Sequence, residues 1–247
     1  MPSLPEAPEE RGFAREIKFL VPAGQAELIR QWARSRLEPD PHAGGPTDDI
    51  YRISSLYFDT PRFDVYCRNG SYGRAKYRIR RYGDSKRVFL ERKLKSRGVV
   101  GKRRLIVKVK ELGRLENGEP DRDWPGFWFH RRLLLRGLNS ICQVSYVRTA
   151  RVTRNAFGSV RLTLDEDLRV RPADAFRFRD AGDGVSMTGG LVVVEMKFRL
   201  EMPAALQELV EEFGLVQQPV SKYRLAADIL GYAAESVSTP PLERKYA

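Results

Sequence analysis

Arg74-Ala75-Lys76-Tyr77-Arg78-Ile79-Arg80 alternates basic and non-basic residues without a break. Side chains of a β-strand point alternately to its two faces, so Arg74, Lys76, Arg78 and Arg80 share one face and Ala75, Tyr77 and Ile79 the other. Lys102 and Arg104 repeat the pattern on a later segment. Other segments mix signs on the charged face: Glu16 with Lys18, Glu91 with Lys93 and Lys95, Arg161 with Asp165, and Glu195 with Lys197 and Arg199. An antiparallel sheet commonly turns one polar face to water. Solvated faces mix Thr, Ser, Gln and Lys, however, whereas these are dense in Arg. Inside a barrel such crowding is costly unless an anion neutralises it and carboxylates hold the side chains in place. A chain of phosphates is such an anion, because Arg offers a planar fork to its oxygens and Lys a point charge. A carboxylate among the cations can hold Mg²⁺ or Mn²⁺, which bridge phosphate oxygens, or can serve as an ion-pair partner. For Glu16 and Glu91 both readings stay open. For Glu195, set in the apolar run Val192-Val193-Val194-Glu195-Met196-Lys197, the metal role leads.

Working outward, residues 13–21 read as a strand, ended by Pro22-Ala23-Gly24. A helix is expected over 25–37, with Leu28, Ile29, Trp32 and Ala33 as its apolar face. Residues 38–49, rich in Pro and Gly, read as a loop. Strands follow over 50–59, 74–82, 87–95 and 102–110, giving a meander. Residues 112–142 change to a Trp- and Arg-rich helical insertion. Strands over 143–153 and 159–170 form a hairpin about residues 155–158, and 191–200 is a further strand. Two helices, 203–213 and 221–232, close the pattern. The expected class is α+β: a closed antiparallel eight-stranded barrel with flanking helices, occupying 13–233 between a flexible N-terminal segment, 1–12, and a C-terminal tail, 234–247.

The whole chain sets bounds on partners. Its 247 residues, 42% hydrophobic, suffice for one sizeable core, and a net charge of +12 points to an anionic partner. No apolar run approaches the roughly 18 residues that a membrane-spanning helix needs. Cys67 and Cys142 fit no metal or redox spacing and read as reduced thiols of a cytoplasmic protein. Asp59 and Asp64 flank an Asp-Thr-Pro turn and read as turn and capping groups. His42 and His130 make no catalytic case. Tyr77, Tyr82 and Phe89 could stack bases on an open basic sheet, but they are expected opposite the arginine row, so specific nucleic-acid binding is not expected.

The ordered succession Glu16-Ile17-Lys18, Leu56-Tyr57-Phe58-Asp59-Thr60, Lys76-Tyr77-Arg78-Ile79-Arg80, Phe89-Leu90-Glu91-Arg92-Lys93, Tyr146-Val147-Arg148-Thr149-Ala150, Arg161-Leu162-Thr163-Leu164-Asp165, Val194-Glu195-Met196-Lys197 and Ser221-Lys222-Tyr223 closely resembles the VTC domain. That domain is the polyphosphate polymerase module of the triphosphate tunnel metalloenzymes, which include the CYTH proteins. The resemblance implies a tunnel in which basic side chains hold phosphates and an acid holds a divalent metal, Mn²⁺ or Mg²⁺. It assigns phosphate contacts to Lys18, Lys76, Lys93, Arg148, Arg161 and Lys197, more loosely to Lys102 and Arg104. Arg78, Arg80 and Lys222 become the catalytic cations and Glu195 the metal-binding acid, with Glu16 and Glu91 as further candidates. The substrates implied are ATP or another triphosphate and inorganic polyphosphate; the alternatives are a triphosphate hydrolase and a noncatalytic polyphosphate binder. The CYTH pattern Glu-x-Glu-x-Lys would fall on Ala14, Glu16 and Lys18, so one acid is replaced, which argues against hydrolase chemistry. With only a short stretch before the first strand, the inositol-phosphate-sensing domain that precedes eukaryotic VTC domains is not expected here.

Overall fold

The computed structural model describes residues 15–41, 49–96 and 99–232, with the side chains of 95, 96, 99 and 100 excepted. The expected termini, His42 and most of the expected 38–49 loop lie outside these residues. The strands are β1 (Arg15–Val21), β2 (Glu38–Pro39), β3 (Ile50–Asp59), β4 (Ala75–Tyr82), β5 (Arg87–Ser96), β6 (Val99–Lys108), β7 (Asn139–Asn155), β8 (Gly158–Pro172), β9 (Val185–Ser186) and β10 (Val192–Phe198). The helices are α1 (Ala23–Arg36), α2 (Asp64–Cys67), α3 (Phe127–Leu135), α4 (Ala204–Glu212) and α5 (Lys222–Ile229).

All strands belong to one antiparallel sheet in the order β1-β10-β8-β7-β3-β4-β5-β6, with β2 added beside β7 and β9 beside β8. The expected barrel therefore fails on closure: β1 and β6 are not paired, and the sheet is open between them. Part of β1's outer edge has another partner, since Gln218 donates its backbone N–H to the Lys18 carbonyl at 2.8 Å. Across the opening, Lys93 of β5 reaches Glu16 of β1 at 3.1 Å. Side chains bridge the two walls where the ladder does not.

Alternation sorts the sheet as the sequence pattern requires. Ile17, Phe19 and Val21 of β1, Leu162 and Leu164 of β8, and Val192, Val194 and Met196 of β10 pack outward beneath α1 and α4. Leu56 and Phe58 of β3, Tyr77 and Ile79 of β4, and Val88 and Leu90 of β5 pack outward in a second core that takes in Trp124, Phe129 and Leu133. The charged residues are left to the concave face. One expectation for α1 is corrected: Leu28 is 54% exposed, whereas Ala26, Ile29 and Ala33 define the buried side. At 100° per residue Leu28 lies opposite that side, and Arg30 takes a buried place instead, bonded to Thr149 and Glu166. The 155–158 hairpin forms as expected, with Gly158 at φ 119°. The insertion holds a 3-10 segment, Val109–Glu116, and one helix, α3, so that β7 starts at Asn139, earlier than expected.

Asp59, at the end of β3, anchors α2 and α5 to the sheet. Its buried carboxylate accepts the backbone N–H groups of Thr60 (2.7 Å), Val65 (2.8 Å) and Tyr66 (2.9 Å), and the Tyr223 hydroxyl of α5. Asp64 is bonded to Thr60 and Asn69. The expected turn roles hold, and Asp59 does more by fixing where α5 begins. Asp59→Ala leaves four donors without their acceptor, and because a hydrogen bond to a charged group contributes about 1.5–3 kcal/mol, a loss of at least about 3 kcal/mol in unfolding free energy is expected even where water entering the vacated space meets some of them. Urea unfolding checks this; a change below about 1 kcal/mol would remove Asp59 as the anchor.

Candidate functional site on the concave face

The register places the inward side chains in rows. Tyr57 of β3 lies across from Arg78 of β4, Arg78 from Glu91 of β5, and Glu91 from Arg104 of β6. Glu91, 2% exposed, is the hub of this row: Arg78 Nε stands 2.5 Å, Arg104 Nε 3.1 Å and Lys102 Nζ 3.6 Å from its carboxylate. Burial opposes ionisation of Glu91, but Arg78, Arg80, Lys102 and Arg104 outweigh it and hold the carboxyl well below its usual range. The next row outward is Lys76, Lys93 and Lys102, three lysines directly opposite one another.

On the other wall Arg148 of β7 is paired with Asp165 of β8. Arg148 donates two bonds to the fully buried Asp165, at 2.6 and 2.7 Å, and Lys222, from the first residue of α5, joins at 2.6 Å. The Asp165 carboxyl is driven below its usual range because these two cations overcome the penalty of burial. Lys222 Nζ and the Arg148 guanidinium lie 4.9 and 5.4 Å from the centroid of the Tyr146 ring. Arg80 approaches the Tyr146 hydroxyl at 3.4 Å. Arg80, Arg148 and Lys222, from three separate elements, thus converge on Tyr146. Only the fold could show that convergence; Tyr146 carried no signal beyond its place beside Val147-Arg148.

Arg80 differs from its neighbours. Its side chain is 7% exposed, yet its contacts are the Ser55 and Tyr146 hydroxyls, both at 3.4 Å, and no carboxylate among the described residues forms an ion pair with it. The charge of Glu91 acts on it only from beyond ion-pair distance and is shared with Arg78, Lys102 and Arg104, so an anionic ligand would give this buried guanidinium the direct partner it lacks.

Glu16 and Glu195 share one lysine. Lys18 Nζ is 2.6 Å from Glu16 and 3.5 Å from Glu195, and Lys197 lies between Glu16 and Arg161 in register, exposed. Burial works against Glu16's ionisation, but Lys18 and Lys93 prevail and bring its pKa down to about 2. Among the described residues no group of three or more His, Cys, Asp or Glu forms a ready metal cage. Two carboxylates on adjacent strands nevertheless suit Mg²⁺ or Mn²⁺, which take one or two carboxylates and complete their shells with water and phosphate oxygens. Glu91, enclosed by three cations, stands apart from this pair. Arg161 sits towards one edge, bonded to Tyr51 at 2.8 Å and paired with Asp40 at 2.6 Å.

One expectation is reversed here. Tyr77 faces the outer core, but Phe89 pairs with Arg80 and Tyr82 alternates with it, so both lie on the arginine face. Arg104 stacks 3.7 Å from the Phe89 centroid and donates to the Tyr82 hydroxyl at 2.9 Å. The two rings meet edge to face, and Arg104 lies over both of them. His130 is buried, with Nε2 3.0 Å from the Asn117 carbonyl, as a structural residue would be.

Depressed carboxyl pKa values translate into acid sensitivity. For an acid lowered by folding, the stabilisation is complete above its ordinary value and is lost as pH falls through the folded value. For Glu16 that window runs from 4.5 down to about 2, and Glu91 and Asp165 act in the same direction. The melting temperature should therefore hold above the window and fall steadily within it, with a shallower fall in Glu91→Gln. A wild-type profile that stays flat down to pH 3 would contradict this electrostatic account.

Comparison with known proteins places this geometry. The VTC domain profile matches residues 13–230. No curated protein sequence matches the chain. Among solved structures, a provisionally assigned adenylate cyclase of Bacillus halodurans shares the fold, with a TM-score of 0.52 and 18% identity over 86% of this chain and 94% of its own. A provisionally assigned adenylyl cyclase of Hippeastrum, described as revealing a dominant triphosphatase activity, aligns with a TM-score of 0.47 and 20% identity over 93% of this chain and 99% of its own. The matched profile spans the described strands and α5, and on it the chain belongs to the VTC domain family.

Proposed function

We propose that the concave face binds ATP by its triphosphate and transfers the γ-phosphoryl group to the end of a polyphosphate chain. The observation that carries this reading is Arg80, a buried guanidinium in the midst of further cations that is hydrogen-bonded to hydroxyls and forms no ion pair with a carboxylate among the described residues. An extended polyanion suits such a row better than a single compact anion. Family membership and the replacement of one CYTH acid by Ala14 support polymerisation over hydrolysis. In the step, an oxygen of the terminal phosphate of the acceptor chain bonds to the γ-phosphorus. The bond from that phosphorus to the β,γ-bridging oxygen breaks, and ADP leaves with the electron pair.

Little covalent chemistry is asked of the protein, because phosphoryl transfer is catalysed mainly by positioning and charge stabilisation. Arg80, Arg148 and Lys222 supply cations to the transferring group. Asp165 aims Arg148 and Lys222, and Glu91 aims Arg78 and Arg104. Lys18, Lys93, Lys102, Arg161 and Lys197 extend the phosphate contacts along the face. Glu195 and Glu16 would hold Mg²⁺ or Mn²⁺, which supplies further neutralisation of phosphate oxygens when bound. We assign Glu91 to anchoring, since three cations already enclose it. No helix among the described residues is long and apolar enough to cross a membrane. With free Cys67 and Cys142, we place the reaction in the cytoplasm.

Purified protein incubated with ATP and Mn²⁺ or Mg²⁺, followed by phosphorus NMR and gel sizing, tests the reading. ADP and long phosphate chains are expected. Stoichiometric free phosphate instead would make the enzyme a hydrolase, and tight binding without turnover would make it a noncatalytic binder. Arg80→Met and Lys222→Met should each lower the rate by about a hundredfold or more, the usual scale for removing one transition-state donor. Full activity in either would sink the assignment of that residue.

A further inference from the structure

The row Lys76, Lys93 and Lys102 poses a problem that the triphosphate site does not solve. Like charges directly across a sheet repel and destabilise it. Lys93 is relieved by Glu16 and Lys102 by Glu91, at 3.1 and 3.6 Å. Lys76 has no carboxylate among the described residues; its Nζ donates to the Ser221 hydroxyl at 3.0 Å.

The surroundings of Lys76 add more positive charge. Ser221 is the N-cap of α5, and Arg224, one turn on, donates to the Tyr66 carbonyl at 3.0 Å and lies over the Tyr66 ring at 4.8 Å. That contact docks α5 on α2, whose C-cap is the exposed Arg68. Neither Arg68 nor Arg224 forms an ion pair with a carboxylate among the described residues; the nearby Asp228 is bonded to the Tyr66 hydroxyl. Burial, and then the charges of Lys18, Lys93, Arg68 and Arg224, lower the Lys76 pKa to about 8. The cations thus continue from the concave face past the start of α5 onto the surface of α2, without the carboxylates that balance the interior rows.

We propose that Lys76, Arg68 and Arg224 form a subsite, outside the triphosphate site, that holds the polyphosphate chain as it leaves the concave face past the start of α5 and over the surface of α2. The subsite rests on the phosphate-binding reading above. It serves long chains and not triphosphates, because the Glu91, Arg80 and Asp165 rows lie deeper in the face. Arg68 is the informative position: it sits at φ 59°, a left-handed conformation that Asn tolerates well, so Arg68→Asn removes the charge without backbone cost.

The test compares binding of long-chain polyphosphate and of tripolyphosphate to wild type, Arg68→Asn, Arg224→Gln and the double variant, by calorimetry over a range of salt. In the double variant the long chain should bind roughly tenfold more weakly, with the slope of log affinity against log salt reduced by about one per charge removed. Tripolyphosphate should change by less than about twofold, which also reports that α5 and Lys222 stay in place. Arg68→Lys should restore long-chain binding. Equal weakening of both ligands, or of neither, would overturn the subsite, as would single-stranded RNA competing as well as polyphosphate in an Arg68-dependent way. Failure of wild type to bind tripolyphosphate at all would overturn the phosphate-binding reading itself, and the subsite with it.

Discussion

Cations crowded on the concave face of one curved sheet repel each other, and a few carboxylates, Glu91 and Asp165 among them fully enclosed, hold most of them in place. Glu91 gathers Arg78, Lys102 and Arg104, Asp165 gathers Arg148 and Lys222, and Glu16 with Glu195 encloses Lys18. These pairs are weak evidence of net stability, since each charge was taken out of water to form them. Their effect is geometric. They fix long, flexible side chains at set distances, so that less ordering is left for a bound anion to impose. What the carboxylates leave uncompensated, Arg80 above all, defines where negative charge must come from outside.

The outward face supplies the stabilisation that lets this electrostatic arrangement persist. Apolar residues alternate with the charged ones along most strands, so most inward cations are flanked by an outward Ile, Leu, Val or aromatic in one of two cores; Lys102, between Gly101 and Arg103, is an exception. Burial of each such side chain contributes about 1.5–3 kcal/mol, against which the cost of a single strained cation is affordable. Asp59 links this scaffold to the site: by binding Tyr223 and the start of α2 it positions α5, and with α5 come Lys222, Ser221 and Arg224.

Much of the site was legible because strand periodicity is a strict rule. Arg78, Arg80, Glu195 and Lys18 do lie together on one face, joined by Arg148, which the family resemblance and not alternation had singled out, and the strands form close to where alternation put them. Two failures came where the period was misapplied, and one where it is silent. Leu28 was placed in the core because it is apolar, although the helical phase set by Ala26, Ile29 and Ala33 excludes it. Tyr82 and Phe89 were assigned by alternation to the face opposite the arginines, although Tyr82 shares the parity of Arg80 and the register sets Phe89 against Arg80; here they hold Arg104 from the inside. Closure of the sheet depends on contacts between β1 and β6, far apart in sequence, and no local pattern encodes them.

The alternation of residue types was enough by itself to determine that this chain makes amphipathic strands with one strongly basic face, since the facing of a side chain depends only on its parity along the strand. Tertiary structure alone decided how each charge is spent. Arg78 and Arg80 are two residues apart and chemically identical, yet one is bound to Glu91 and the other meets only hydroxyls. Likewise Lys76 and Lys93 are equivalent in sequence pattern, but only Lys93 reaches across to Glu16. Coulomb energy depends on distance and burial, and both are set by which strands the fold brings opposite one another.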